Sequence, residues 1–134
     1  MKKGKGIIYG YLDRITSLMT LSYLRDFCLS KPGTSEDTPF DANTLCFRVG
    51  GKIFAITDME VFEYINLKCD PERSAELREK FEGITPGYHM NKKWWNSVSV
   101  LGNVPDQLIL DLVDHSYELI FASLPKKLQT EIRP

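Results

Sequence analysis

Beginning at Thr20, apolar residues recur at Leu21, Leu24, Phe27 and Cys28, the three- and four-residue spacing that lines one face of a helix. Thr20 stands where an N-cap is wanted, and Lys31-Pro32-Gly33 supplies the stop. The period then shortens to two. Residues 34–40, TSEDTPF, read as a short edge strand and turn. In residues 44–57, TLCFRVGGKIFAIT, two β-rich runs flank Gly50-Gly51, the pair a two-residue hairpin turn requires because both centres take positive φ. That turn predicts Val49 opposite Lys52, Phe47 opposite Phe54 and Leu45 opposite Ile56. These side chains, Lys52 apart, would face the core, with Cys46, Arg48, Ile53 and Ala55 on the other face. A third run, Phe62–Cys69, sends Ile65 and Leu67 one way and Tyr64, Asn66 and Lys68 the other.

Asp70-Pro71 ends that strand and opens a helix over 71–80, with proline in the first turn and Glu72 near the positive end of the dipole. Gly83 is expected to terminate it. Residues 84–90 read as a loop or short strand. Residues 94–100 form another strand, with Trp94, Asn96, Val98 and Val100 on one face and Trp95, Ser97 and Ser99 on the other. From Pro105 a last helix carries the stripe Ile109, Val113, Ser116 and Ile120 and ends at Pro125, after which Lys126 and Lys127 either extend a basic edge or, the stronger reading, cap its negative end. Helices segregated from a contiguous antiparallel sheet predict an α+β fold, a two-layer sandwich with the helices packed on one face. The boundaries implied are a loosely ordered leader over 1–18, one domain over 19–128 and a C-terminal tail over 129–134.

Charge changes the picture more than composition does. The net charge is −1, yet residues 1–18 hold Lys2, Lys3, Lys5 and Arg14 against Asp13, leaving −4 on residues 19–134. An acidic globular part excludes strong non-specific attraction to nucleic acid, so any such contact must come from a local patch. One stretch provides it. Residues 83–105, GITPGYHMNKKWWNSVSVLGNVP, contain no Asp or Glu and gather Tyr88, His89, Lys92, Lys93, Trp94 and Trp95. Lysines beside flat rings are what a phosphate backbone and a base demand. In this reading Lys92 and Lys93 meet phosphates, Trp95 stacks, Asn91 offers its amide to a base edge, and His89 and Lys68 lend support. The competing reading has one tryptophan plugging the core and solvated lysines beside it. His115 reads as a core-edge residue.

Other chemistries find little support. Cys28, Cys46 and Cys69 are odd in number and widely spaced, so they read as buried thiols rather than a disulfide framework or zinc knuckle, and no metal or cofactor is expected. The motifs of phosphate-loop, dinucleotide-binding, serine-hydrolase and zinc-protease enzymes are absent, which predicts a non-enzyme. No apolar run approaches a membrane span, and Tyr9, Gly10, Asp13 and Arg14 break any signal-peptide core, so a cytoplasmic protein is expected.

The strings LSKPGTSEDTPF, FRVGGKIFA, INLKCDPERSAELRE, PGYHMNKKWWN and DHSYELIFASLPKK, in this order, resemble the MmcQ/YjbR family of small bacterial domains usually labelled as DNA-binding. The resemblance covers residues 19–128. It implies a frataxin-like two-layer sandwich and a DNA-binding surface sometimes described as a double wing. Trp94 stands where the family pattern often has histidine. The metal binding of true frataxins is not implied, since their first helix is strongly acidic and this one offers only Asp26. The expected partner is DNA, bound weakly through a local patch by a monomer or weak homodimer. The alternative is a protein- or small-ligand-interaction module using the outer sheet face, Arg48, Tyr64, Asn66, Lys68 and Trp95.

Overall fold

The hydroxyl of Thr20 accepts the Tyr23 amide at 3.0 Å and opens helix α1, Leu21–Leu29, whose Leu24 and Cys28 are buried. The computed structural model describes residues 19–87 and 90–134; the expectations for the leader and for His89 fall outside these residues. After α1 come strands β1 (Thr34–Asp37), β2 (Thr44–Val49), β3 (Lys52–Asp58) and β4 (Tyr64–Lys68), helix α2 (Pro71–Lys80), β5 (Ile84–Pro86), β6 (Trp95–Ser99) and helices α3 (Asp106–Ala122) and α4 (Lys126–Ile132). The strands form one antiparallel sheet in the order β1-β2-β3-β4-β6-β5. Phe47, Val49, Ile65, Leu67 and Val98 on one face are sealed by Leu24 of α1, Leu77 of α2 and Ile109, Val113 and Tyr117 of α3. This is the expected α+β sandwich: the helices pack on one sheet face, and among the described residues no helix covers the other.

The hairpin departs from its predicted register in an instructive way. Gly50 and Gly51 take φ of 57° and 85°, and Val49 does face Lys52. Farther along, Phe47 faces Ala55 and Leu45 faces Thr57, not Phe54 and Ile56. Arg48 faces Ile53, so Phe54 is one extra residue in β3, a β-bulge. The bulge turns both Phe54 and Ala55 inward to full burial and sends Ile56 to the outer face. Hydrophobic burial of two side chains in place of one outweighs the ladder hydrogen bonds it interrupts. Ser116 of α3 repairs the ladder: its hydroxyl donates to the Phe54 carbonyl at 2.6 Å and accepts the Lys68 amide at 2.9 Å.

Two helix ends also differ from expectation. Asp70 caps α2 by accepting the Glu72 amide at 2.8 Å, but the helix stops at Phe81, which is extended (φ −124°, ψ 117°), before Gly83 is reached. Lys126 and Lys127 do not cap α3; they begin α4, which the hydrophobic pattern leaves unassigned. That helix buries no residue fully. Leu128 and Ile132 pack partly on the core, and Arg133 just beyond pairs with Glu118 at 2.9 Å and lies 3.6 Å from the Phe121 ring centroid. All three cysteines are free and buried, and burial pushes the Cys28 thiol up to about 12. Among the described residues no helix is long and apolar enough to cross a membrane.

Candidate nucleic-acid interface and the open sheet face

Strand register decides which end of the sheet each charge occupies. The turn at Gly50-Gly51, the start of β3 at Lys52 and the end of β4 at Lys68 lie together, and Lys68 pairs with Trp95 at the start of β6. The turn that carries Lys92 and Lys93 therefore sits at that same end. Leu124 and Leu128 pack on Gly50, which brings Lys126 and Lys127 there as well. The opposite end holds the β3–β4 turn with Asp58, Glu60 and Glu63, and Asp41 just before β2. The sheet is polarised along its strands, basic at one end and acidic at the other.

Among the described residues, Lys52, Lys68, Lys92 and Lys93 join no ion pair, whereas Arg25, Lys31, Arg48 and Arg133 are paired with Glu36, Asp114, Asp37 and Glu118. Arg48, expected on the docking face, is spent on Asp37 and on the Gly51 carbonyl at 2.9 Å. Lys68 instead lies 5.3 Å from the Trp94 ring centroid, a cation–π contact. Neither indole plugs the core: Trp94 and Trp95 are both half-buried at the basic end. The competing reading, a tryptophan plugging the core, does not hold. Asn91 is partly consumed, since its side-chain oxygen accepts the Lys93 amide at 3.0 Å and its carbonyl accepts the amides of Trp94 and Trp95. Its amide donors remain for a ligand.

The residue that sets this turn is Arg78, in the last turn of α2, which the sequence analysis does not single out. Its Nε donates to Asn96 Oδ1 at 2.7 Å, and its terminal nitrogen donates to the Lys92 carbonyl at 2.6 Å and more weakly to that of Trp95 at 3.3 Å. Asn96, fully buried on the core face of β6, passes its own amide to Ser74 Oγ at 3.0 Å. The one sequence signal was Asn96 itself, an amide at an inward strand position that needed partners.

The open face also carries a groove of about 660 Å³ toward the acidic end. Ile56, Tyr64 and Asn66 form its floor, and Phe40 and Met90 line it from the two flanking connections. Asp58, Val61 and Glu63 close its end. Phe40, Val61 and Tyr64 are 67%, 53% and 46% exposed, so three of the largest apolar exposures on the described surface meet in one concavity.

His115 sits on α3 against the backbone that follows Lys68. Its Nε2 accepts the Asp70 amide at 3.1 Å, and burial, aided by the Arg73 charge, lowers its pKa from 6.5. The unfolded chain then takes the proton first, so this contribution to stability is complete above pH 6.5 and is lost as pH falls from there toward the folded value. Urea unfolding at pH 7.5 and 5.5 is expected to show the loss, and His115→Gln to flatten that part of the slope.

A helix layer over one face of an antiparallel sheet, with a rim of lysines in no ion pair at one end, defines a small α+β domain. The chain belongs to the YjbR family, whose model matches residues 29–119. It is 38% identical over 97 residues to YbdF of Escherichia coli O157:H7, covering 72% of this chain and 80% of that one. It is 33% identical over 110 residues to YjbR of Escherichia coli K12, covering 81% and 93%. Protein DR2400 of Deinococcus radiodurans superposes with a TM-score of 0.82 at 38% identity, over 87% of this chain and 90% of that one. A Pseudomonas syringae protein gives 0.65 at 28% identity, over 76% and 99%.

Proposed function

We propose that the chain is a non-catalytic DNA-binding protein of the YjbR type that contacts the phosphate backbone through its Lys/Trp turn. The observation that supports this most is the set of lysines at one end of the sheet, none of them in an ion pair, on a turn held rigid by Arg78. Lys92 and Lys93 neutralise phosphates, Lys68 and the half-buried indoles offer a flat cationic ledge, and Asn91 donates its amide. Two or three phosphate contacts on a protein of this net charge give an affinity of roughly micromolar or weaker. Titration of labelled duplex and single-stranded DNA at two salt concentrations tests it. Binding is expected to weaken with salt, and Lys92→Ala/Lys93→Ala to reduce the salt slope by about two phosphates' worth. No binding at low salt, or an unchanged double mutant, overturns the reading.

A second reading has its own observation. The groove at the acidic end suits an apolar body carrying positive charge and repels phosphate. It supports an interaction module that uses the open sheet face.

A further inference from the structure

The open face offers two surfaces of opposite character. One end presents the apolar groove with Asp58 and Glu63 lining it and Glu60 beside them. The other end presents Trp95 beside Lys68, cross-strand partners and so on one face, with the exposed Lys92 and Lys93 in the adjoining turn. The groove calls for an aromatic or aliphatic body next to a cation. The opposite end of the same face has that chemistry. The carboxylates and the lysines lie at opposite ends of β4, about 14 Å for five residues, and Met90 of the lysine-bearing connection lines the groove between them.

A face polarised in this way is complementary to itself under one symmetry operation. A two-fold axis lying in the plane of contact and running across the strands turns the second copy end for end. Each acidic groove then meets the partner's lysine and tryptophan end, and each contact occurs twice. An axis parallel to the strands would instead stack acid on acid and lysine on lysine. Neither edge of the sheet offers an easier route, since β5 contains Pro86 and β1 carries Glu36 and Asp37.

We propose that the chain self-associates through its open sheet face as an antiparallel two-fold dimer, the Lys92–Trp95 end of each copy seated at the Asp58–Glu63 groove of the other. This rests on the interaction reading of the face and not on DNA binding. Because the dimer covers the lysines that would meet phosphate, polyanions and the second copy compete for one surface.

Sedimentation of the full chain over a range of concentrations, at low and high salt and without nucleic acid, tests the proposal. A monomer–dimer equilibrium is expected, weakened on the order of tenfold by salt. Two charge-reversed chains then decide the geometry. Lys92→Glu/Lys93→Glu sets two acids opposite the partner's groove carboxylates, and Glu60→Lys/Glu63→Lys sets two lysines opposite the partner's Lys92 and Lys93; all four side chains are exposed. Each variant alone is expected to be monomeric, and their equimolar mixture to dimerise. Glu76→Lys/Glu79→Lys, reversed on the exposed side of α2, serves as the control and is expected not to pair with the acidic variant. A wild-type chain that stays monomeric overturns the proposal. So do single variants that still dimerise, a mixture that does not, or a control that pairs as well. A failed sedimentation result leaves the DNA titration untouched, and the reverse also holds.

Discussion

Replacing Arg78 with alanine is expected to remove about 3 kcal/mol of folding stability, the range for losing hydrogen bonds to a charged donor, and to release the Lys92–Trp95 turn. The size comes from what is left behind. Asn96 Oδ1 is buried on the core face of β6, and Arg78 is its donor at 2.7 Å. The Lys92 carbonyl, freed at the surface, can turn to solvent and contributes less. Arg78→Lys keeps the charge but cannot span Asn96 and Lys92 with one planar fork, so it is expected to recover less than half of the loss. Urea unfolding measures the stability, and the fluorescence of Trp94 and Trp95 reports the turn. A variant that unfolds like the wild type, with unchanged emission, would show that the turn holds itself. If the turn does loosen, affinity for DNA should drop although every lysine remains.

What the sequence reveals follows from how far apart the determinants lie. The Thr20 cap, the Gly50-Gly51 turn, the alternation of Ile65 and Leu67 and the Asp70-Pro71 helix start are local, and each appears in the structure where the pattern puts it. The bulge at Phe54 is not local: what satisfies it is Ser116, 62 residues away, so turn chemistry alone gives an unbroken register. Helix α4 escapes the pattern because it buries no residue fully: only Leu128 and Ile132 pack partly on the core, and Arg133 reaches back to Glu118 and Phe121. At the candidate site, Lys92, Lys93 and Trp95 are legible as an acid-free run, and Lys68 joins them through register. Arg78 is hidden because an arginine in a helix's last turn reads equally well as a dipole partner. The groove is hidden more deeply, since Phe40, Ile56, Val61 and Met90 come from separate segments whose turns look merely polar. Local chemistry was readable; polarity of the whole sheet needed the strand order.

Ser116→Ala is the second substitution expected to have a large effect, about 2–3 kcal/mol, as two backbone groups lose their partner at once. The hydroxyl is fully buried and serves as donor to the Phe54 carbonyl and acceptor from the Lys68 amide. Alanine fits the space, so neither strain nor a sizeable cavity confuses the result. The two orphaned groups belong to different strands, β3 and β4, at the place where the bulge has already parted the ladder. Threonine would restore a hydroxyl but add a methyl to a site with no room, and is expected to remain destabilised through overpacking. The loss should also be visible locally, because the Lys68 amide loses its acceptor and its exchange with solvent deuterium should quicken more than that of Leu67. Unchanged protection at Lys68 would mean that another group takes up the amide and that the bulge does not depend on α3. If exchange does quicken, Ser116 does two jobs at once. It lets β3 bury Phe54 beside Ala55, and it fixes the strand end from which Lys68 reaches Trp94, so the core and the cationic ledge share one hydroxyl.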